Sequence, residues 1–405
     1  MGGNAKKKKW VRFRHQVVRH VLFLPIYLMT VLKYHVKVSP LNGFHKRQCL
    51  ILFNHQTEFD QFFVSFAFRK HVYYLSSEDI MSNGFISSCL KFLVAPIPIK
   101  KNTTDLGAIK NCLQVAKEGG TIAMAPEGNR TFCGRTVNMR STVAGLARKI
   151  KLPIVLFRIE DGYGVQPRWS DVVRKGKMRA YVSKVIEPSE YNEMTDEELF
   201  AVIKEGLYVD EACESGNFYH KKSAEYLDRV MYVCPDCGFS AFLSKNDLIK
   251  CTTCGKEIQY LPNKQLKGVG FDFPFKYVGN WYDYQCDLVN KINPDEFVTK
   301  PLFTDEVCIY KVILSKNKKL LEKGVKLELY SDRMVLFRDS GEDVRYFDKV
   351  TAVTVVGRNK INVYDAGSII QLRGNKHFNA LKYVNMFNRC FNVKKGDEND
   401  KFLGL

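Results

Sequence analysis

The first 57 residues of this 405-residue chain hold no aspartate or glutamate, and the first acid is Glu58. The same stretch carries Lys6 to Lys9, Arg12, Arg14, Arg19, Lys33, Lys37, Lys46 and Arg47, so a strongly cationic N-terminus faces no internal neutralisation and implies an anionic partner. A long apolar run is missing too. Beyond the lysines, Val21 to Leu32 gives twelve apolar or neutral residues, short of the roughly 20 that cross a bilayer as a helix. No small-residue cleavage site follows before Lys33, which argues against a secretory signal, and Lys6 stands where a myristoylation sequence wants Ser or Thr. The cysteines lack the pattern of a secreted disulfide framework. Eight of the twelve are scattered singly, several inside apolar runs (Cys49, Cys89, Cys112), and four form two tight pairs. A reducing compartment and one metal site fit that usage. No internal repeat is visible.

What is present is an ordinary globular composition, 45% hydrophobic and 26% charged, with a net charge of +19. The length predicts two or three domains. Residues 1–40 read as a basic segment whose apolar stretch lies in a membrane interface, acyl chains on one side and anionic headgroups on its flank. The competing reading is a buried core helix with a solvated lysine tail.

Cys49 to Asn54 is a short apolar run, a buried strand. It leads into His55-Gln-Thr-Glu-Phe-Asp60 and then an apolar helix over Phe62 to Phe68. Five residues apart, His55 and Asp60 share no helical face. They meet if His55 sits on the strand-to-helix turn and Asp60 reaches back from the first turn. The carboxylate would then fix the imidazole tautomer for general-base work on a hydroxyl. The plainer alternative is a capping aspartate beside a structural histidine. Three further strands follow: Leu93 to Asn102, ending in Lys100 and Lys101; Thr121 to Ala125, ending in Pro126-Glu-Gly-Asn-Arg130; and Leu152 to Ile159. A strand-end loop with glycine and arginine offers an anion close backbone approach and a bidentate guanidinium.

These four segments, in this order, resemble the four motif blocks of the glycerolipid acyltransferases, over roughly residues 15–210. His55 and Asp60 match the catalytic H-x4-D block. Glu127, Gly128 and Arg130 match the P-E-G-T-R block, with Asn129 in place of threonine. Lys100 or Lys101 falls where the second block usually carries arginine, and Pro153 opens the fourth. The resemblance implies an α/β acyltransferase domain with a mixed sheet and flanking helices over residues 41–225. It implies His55 as general base, oriented by Asp60, on the free hydroxyl of 1-acylglycerol-3-phosphate, with another lysophospholipid or glycerol-3-phosphate as the alternative acceptor. The acyl donor would be acyl-CoA or acyl carrier protein (acyl-ACP), the product phosphatidic acid, and no cofactor is needed for the transfer. Arg130 with Lys100 or Lys101 would hold the acceptor phosphate. Glu127 would touch substrate or orient its neighbours, and Gly128 would permit a turn. Backbone amides at the helix start after His55 are the candidate oxyanion donors.

Downstream, residues 195–230 read as a helix and a linker. Cys234, Cys237, Cys251 and Cys254 then form C-x2-C-x13-C-x2-C, each pair followed by glycine. Four thiolates suit tetrahedral zinc, and a closed site of four protein ligands is structural rather than catalytic. A zinc ribbon over residues 230–260 has little core of its own, so the metal should supply its folding energy. Seven short runs between Cys308 and Arg373 read as strands. Phe378, Leu381, Val384 and Phe387, three apart, mark a closing helix over His377 to Phe391. This pattern over residues 300–395 resembles the pleckstrin-homology or GRAM-type superfold, which implies a lipid or protein docking module. The alternative is a β-domain that merely packs on the enzyme. The expected whole is a membrane-associated enzyme on the cytoplasmic face, with no nucleic-acid partner. The rivals are a nucleic-acid binder, argued from net charge and the ribbon, and a catalytically silent scaffold. The ribbon's few lysines (Lys245, Lys250, Lys256) speak against the first and the intact His55 and Asp60 against the second.

Overall fold

The computed structural model describes residues 9–41, 47–99, 105–136, 139–313, 316–365, 368–394 and 396. They fall into two compact units, each discontinuous along the chain: residues up to 128 with 139–159 and 179–208, and residues 129–138, 160–178 and 209 onward.

In the first unit, α1 (Phe13–Tyr34) and β1 (Val36–Val38) precede β2 (Leu50–Phe53), α2 (Asp60–Ala67) and β3 (Val72–Ser77). Then come α3 (Gly84–Leu93), β4 (Ile97–Ile99), α4 (Leu106–Lys117), β5 (Thr121–Met124), α5 (Thr142–Ile150), β6 (Ile154–Glu160) and β7 (Met178–Ile186). The strands form one sheet in the order β1-β7-β6-β2-β5-β3-β4. Its run β6-β2-β5-β3-β4 is parallel throughout. Parallel strands are covered by helices on both faces and so read as continuous apolar runs, and all four residues of β2 are buried. Leu50, Leu52, Ile122, Ile154 and Leu156 meet Val115 of α4 and Ala144 and Ala147 of α5 in one core. Helix Asp196–Leu207 adds Leu199 and Ile203 to it. That helix starts at a capping box in which Thr195 and Glu198 bond each other's backbone N–H groups at 3.2 and 2.7 Å. Because β2, β3 and β5 are parallel, the segments that follow them all leave from one edge of the sheet.

α1 is longer than the twelve-residue apolar stretch on which the sequence reading rested. Its 22 residues span about 33 Å at 1.5 Å per residue, and among the described residues it is the one helix long and apolar enough to cross a membrane. The charged first turns join it because their polar groups face the domain. His15 Nδ1 meets Tyr73 Oη at 3.0 Å, and Arg19 donates to the Phe68 carbonyl. Further along, Phe23 and Tyr27 pack on Phe66 at 5.6 and 5.1 Å, and Tyr34 on Phe59 at 5.3 Å. The other side leaves Phe13, Val17, Val21, Leu24, Leu28 and Leu32 exposed.

The second unit holds strands β8 (Val233–Cys234), β9 (Gly238–Phe239), β10 (Phe242–Lys245), β11 (Leu248–Cys251), β12 (Glu257–Tyr260) and β13 (Leu266–Gly268). Strands β10 to β13 form an antiparallel meander. The seven C-terminal strands all appear: β14 (Phe303–Lys311), β15 (Lys319–Leu329), β16 (Arg333–Arg338), β17 (Gly341–Tyr346), β18 (Ala352–Val356), β19 (Lys360–Asp365) and β20 (Ser368–Arg373). They pair antiparallel in the order β17-β16-β15-β14-β20-β19-β18. The closing helix starts at Leu381 rather than His377, because Asn379 Oδ1 accepts the Leu381 and Lys382 N–H groups at 3.0 and 3.2 Å. Two expectations change. The segment read as a linker is structured, with Leu227, Arg229 and Val230 buried. A helix that the sequence reading did not mark, Val278–Asn290, places Trp281 at the centre of this unit's core.

Candidate active site and thiolate cluster

β2 ends at Phe53, and Asn54 locks the departing chain by a reciprocal amide pair with the Ile159 backbone, 2.7 Å each way. The turn that follows brings His55 and Asp60 together. His55 Nδ1 lies 2.7 Å from Asp60 Oδ2; the carboxylate is fully buried and the imidazole about a quarter exposed. Asp60 is the first residue of α2, where a negative charge complements the helix N-terminus. Its oxygens also accept the Gln56 N–H (2.7 Å), the Thr57 N–H (2.9 and 3.0 Å) and the Thr57 hydroxyl (2.6 Å). One carboxylate therefore both shapes the turn and holds the ring.

Three amides of the turn are already engaged. The amides of Gln56 and Thr57 are committed to Asp60, and that of Phe59 to Thr57 Oγ1 at 3.2 Å. Beside them the Gln56 side chain is fully buried, and its amide meets no hydrogen-bond partner among the described residues.

Glu127, in the loop after β5, is buried, and its Oε1 accepts the His55 backbone N–H at 2.8 Å. It thus fixes the backbone of the histidine turn. Gly128 adopts φ +70°, a left-handed conformation in which a side chain would be strained, and closes a turn by donating to the Ala125 carbonyl at 3.0 Å. Glu127 and Gly128 belong with His55 and Asp60 in the first unit, whereas Asn129 and Arg130 belong to the second. Lys100 and Lys101 lie outside the described residues.

In the second unit the sequence reading missed Arg168. Fully buried, it donates through Nη1 to the Arg130 carbonyl (2.9 Å) and through Nη2 to Asn129 Oδ1 (3.3 Å). It also donates to the carbonyls of Val355 (3.1 Å) and Gly357 (2.8 Å), and its guanidinium sits 4.1 Å from the Phe132 ring centre. Burial pushes this guanidinium's pKa down, and the Arg130 charge pushes the same way. Gln166-Pro-Arg168-Trp169 falls in none of the four blocks, so only three-dimensional contact reveals it.

The four cysteines converge. The Sγ atoms of Cys234, Cys237, Cys251 and Cys254 all lie within 4.8 Å of one another, Cys234 and Cys254 at 3.9 Å. Ligands about 2.3 Å from a tetrahedral zinc stand about 3.8 Å apart, so the donor set fits that ion. Gly238 and Gly255, at φ +72° and +76°, supply the left-handed turn after each pair. All twelve cysteines are free thiols. The ribbon shares its core with a helix outside residues 230–260. Phe242 packs on Trp281 at 5.3 Å, Trp281 Nε1 donates to the Val233 carbonyl at 2.8 Å, and Ile249, Ile258 and Tyr260 enter the same cluster.

Known proteins match two stretches of the chain. The Acyltransferase family model matches residues 35–160, which include His55, Asp60, Glu127 and Arg130. A zinc-ribbon model described as the 7 kDa subunit of DNA-directed RNA polymerase matches residues 228–262, which include all four clustered cysteines. A 1-acyl-sn-glycerol-3-phosphate acyltransferase of Bacillus subtilis (strain 168) is 23% identical over 136 residues. That match covers 34% of this chain and 65% of the relative, so the chain spans just under two thirds of its length. The crystal structure of the 1-acyl-sn-glycerophosphate acyltransferase from Thermotoga maritima aligns at 18% identity with a TM-score of 0.40, over 48% of this chain and 80% of that one.

Proposed function

We propose that this chain moves a fatty acyl group from the thioester of coenzyme A or acyl carrier protein to the free hydroxyl of 1-acylglycerol-3-phosphate, giving phosphatidic acid. The observation that carries the proposal is the 2.7 Å contact between His55 Nδ1 and the buried Asp60 carboxylate. With Nδ1 protonated and turned to that carboxylate, Nε2 is the basic nitrogen. It takes the proton of the acceptor hydroxyl as the oxygen attacks the thioester carbonyl. A C–O bond forms, the C–S bond breaks, and the imidazolium returns its proton to the departing thiolate. Asp60 orients the ring and stabilises its charge, and Glu127 holds the turn through the His55 N–H. Arg130, with Lys100 or Lys101, holds the acceptor phosphate, and Arg168 positions Arg130 and Asn129. The four thiolates hold a structural zinc. The exposed apolar side of α1 lies in the interface of the membrane that supplies acceptor and takes product. A helix that rests on its own domain from His15 to Tyr34 suits that role better than a crossing. The C-terminal sheet and helix serve as a pleckstrin-homology or GRAM-like docking module.

The test pairs wild type with His55→Ala, supplying labelled acyl-CoA or acyl carrier protein and a panel of lysolipids. Wild type is expected to make phosphatidic acid, and the variant to lose about 10²–10⁴ in turnover with unchanged folding. A His55-dependent product with another headgroup moves the acceptor and keeps the mechanism. Near-wild-type turnover by His55→Ala sinks it.

A further inference from the structure

α3 spends apolar side chains on solvent. Of its ten residues, Gly-Phe-Ile-Ser-Ser-Cys-Leu-Lys-Phe-Leu, only Ser87 is buried. Phe85 is 81%, Ile86 63% and Phe92 58% exposed. Single exposed apolar residues are ordinary, but three large ones on ten residues, beside the exposed stripe of α1, make a patch of the kind that marks an interaction site.

The helix is nonetheless firmly placed. At its start, Ser87 Oγ donates to the Ile80 carbonyl (2.9 Å) and accepts the Asn83 N–H (2.8 Å). Just past its end, the Val94 carbonyl accepts from His71 Nε2 at 3.0 Å. Burial holds that imidazole down at about 4, so it stays neutral and keeps this bond at physiological pH. Near the same end, the Arg14 guanidinium of α1 lies 4.0 Å from the Phe92 ring centre, which joins the two helices. The sheet fixes their course. β3 is parallel to β5, and β5 to β2, so α3 begins at the edge that carries the His55 turn and ends near His71, where β3 starts. α1 runs the opposite way, from His15, 5.3 Å from His71, to Tyr34, 5.3 Å from Phe59 in the histidine turn. The two helices thus link the same two edges of the sheet, and their exposed sides are apolar.

We infer that α3 is a second lipid-inserting helix, and that α1 and α3 together seat this unit on an anionic bilayer with the His55 turn at the edge of the contact. Charge decides the occupant. The described residues before Glu58 hold no acid, their exposed cations include Lys9, Lys33 and Lys37, and α3 adds the exposed Lys91, so apolar insertion and attraction to anionic headgroups act together. The inference deepens the interfacial role proposed for α1 and rests on it for that half of the platform. α3 is tested separately.

The experiment compares binding of the full chain to vesicles of phosphatidylcholine with and without phosphatidylserine. Wild type is expected to bind the anionic vesicles more tightly. The variant F85S/I86S/F92S is expected to lose at least about tenfold in partitioning while staying folded, since Phe85 and Ile86 face solvent and the Phe92 change gives up its contact with Arg14 alone. Should that variant fail to fold, F85W decides. Its added indole emission should shift to the blue on binding and be quenched by brominated lipid. Wild-type binding by the triple variant, or a new indole that stays in water, overturns the inference. So does a dimer that the triple variant dissolves in a protein that binds no vesicle, because the occupant is then a second copy. Vesicle binding without a His55-dependent product would sink the acyltransferase reading and leave α3's role standing.

Discussion

The histidine turn and the thiolate cluster are both short, recognisable sequence patterns, yet they are held in opposite ways. The turn is nearly self-contained: one buried carboxylate accepts from His55, from the N–H groups of Gln56 and Thr57, and from the Thr57 hydroxyl. Distant support comes from Glu127 on the His55 N–H and from Asn54 on Ile159. The cluster shares its base with a core built from residues far along the chain, above all Trp281. Where one group both folds a site and tunes its chemistry, the two functions fail together. Where a metal and an apolar core share the load, either can be removed with part of the structure surviving.

Asp60→Asn tests the first half of that contrast and should give the largest effect. Asparagine keeps the shape but turns an N–H₂ group toward existing donors and removes the charge opposite His55. Turnover is expected to fall about a thousandfold, equivalent to about 4 kcal/mol, and the thermal unfolding of the first unit should fall with it. Zinc content should stay unchanged. Lost turnover with fully retained stability would show that the carboxylate serves the ring alone and that the turn has other supports.

Metal removal tests the second half, with a smaller expected effect. Chelation, or Cys234→Ser, should lower the melting temperature of the second unit by roughly 10 °C, about 3–4 kcal/mol for a unit of this size, and leave its β-sheet circular dichroism signal in place. Complete unfolding on chelation would return zinc to the role of sole folding energy that a ribbon without a core requires. Absence of bound zinc in protein purified without chelator would remove the metal altogether.

Legibility in the sequence follows the same division. Apolar runs and their turn residues report strands whose neighbours are close in sequence, so β2, β5, β6 and the seven C-terminal strands could be read directly. The spacing of His55 and Asp60 was informative because the contact is made within one turn. Arg168 carried no such signal: its partners lie at Asn129, Arg130, Val355 and Gly357, and no local pattern encodes a carbonyl nearly two hundred residues away. α1 was read short because Arg14 and Arg19 look like a helix's solvated flank. In the structure Arg14 stacks on Phe92 and Arg19 bonds a carbonyl, so both belong to the packed face.

Glu211 sharpens the contrast within the second unit, because its effect on stability runs against that of the metal. It is buried, accepts the Gly164 N–H at 3.0 Å through Oε2, and its Oε1 has no partner among the described residues. Burial raises its carboxyl from 4.5 to about 7, against the pull of Lys264. Between those two values the folded protein keeps a proton that the unfolded chain releases. Rising pH therefore favours unfolding across that window, and below it both states are protonated and the penalty disappears. The full penalty is about 3 kcal/mol by pH 7 and above. Thiolate ligation works the other way, gaining as protons cease to compete for the cysteines. Zinc-loaded wild type should therefore show partly cancelling trends between about pH 5 and 7. Glu211→Gln should remove the falling component and expose the metal's rising one. If melting temperatures of wild type and Glu211→Gln stay parallel across that range, the carboxyl does not titrate there, and the pH response of this unit belongs to the thiolates alone.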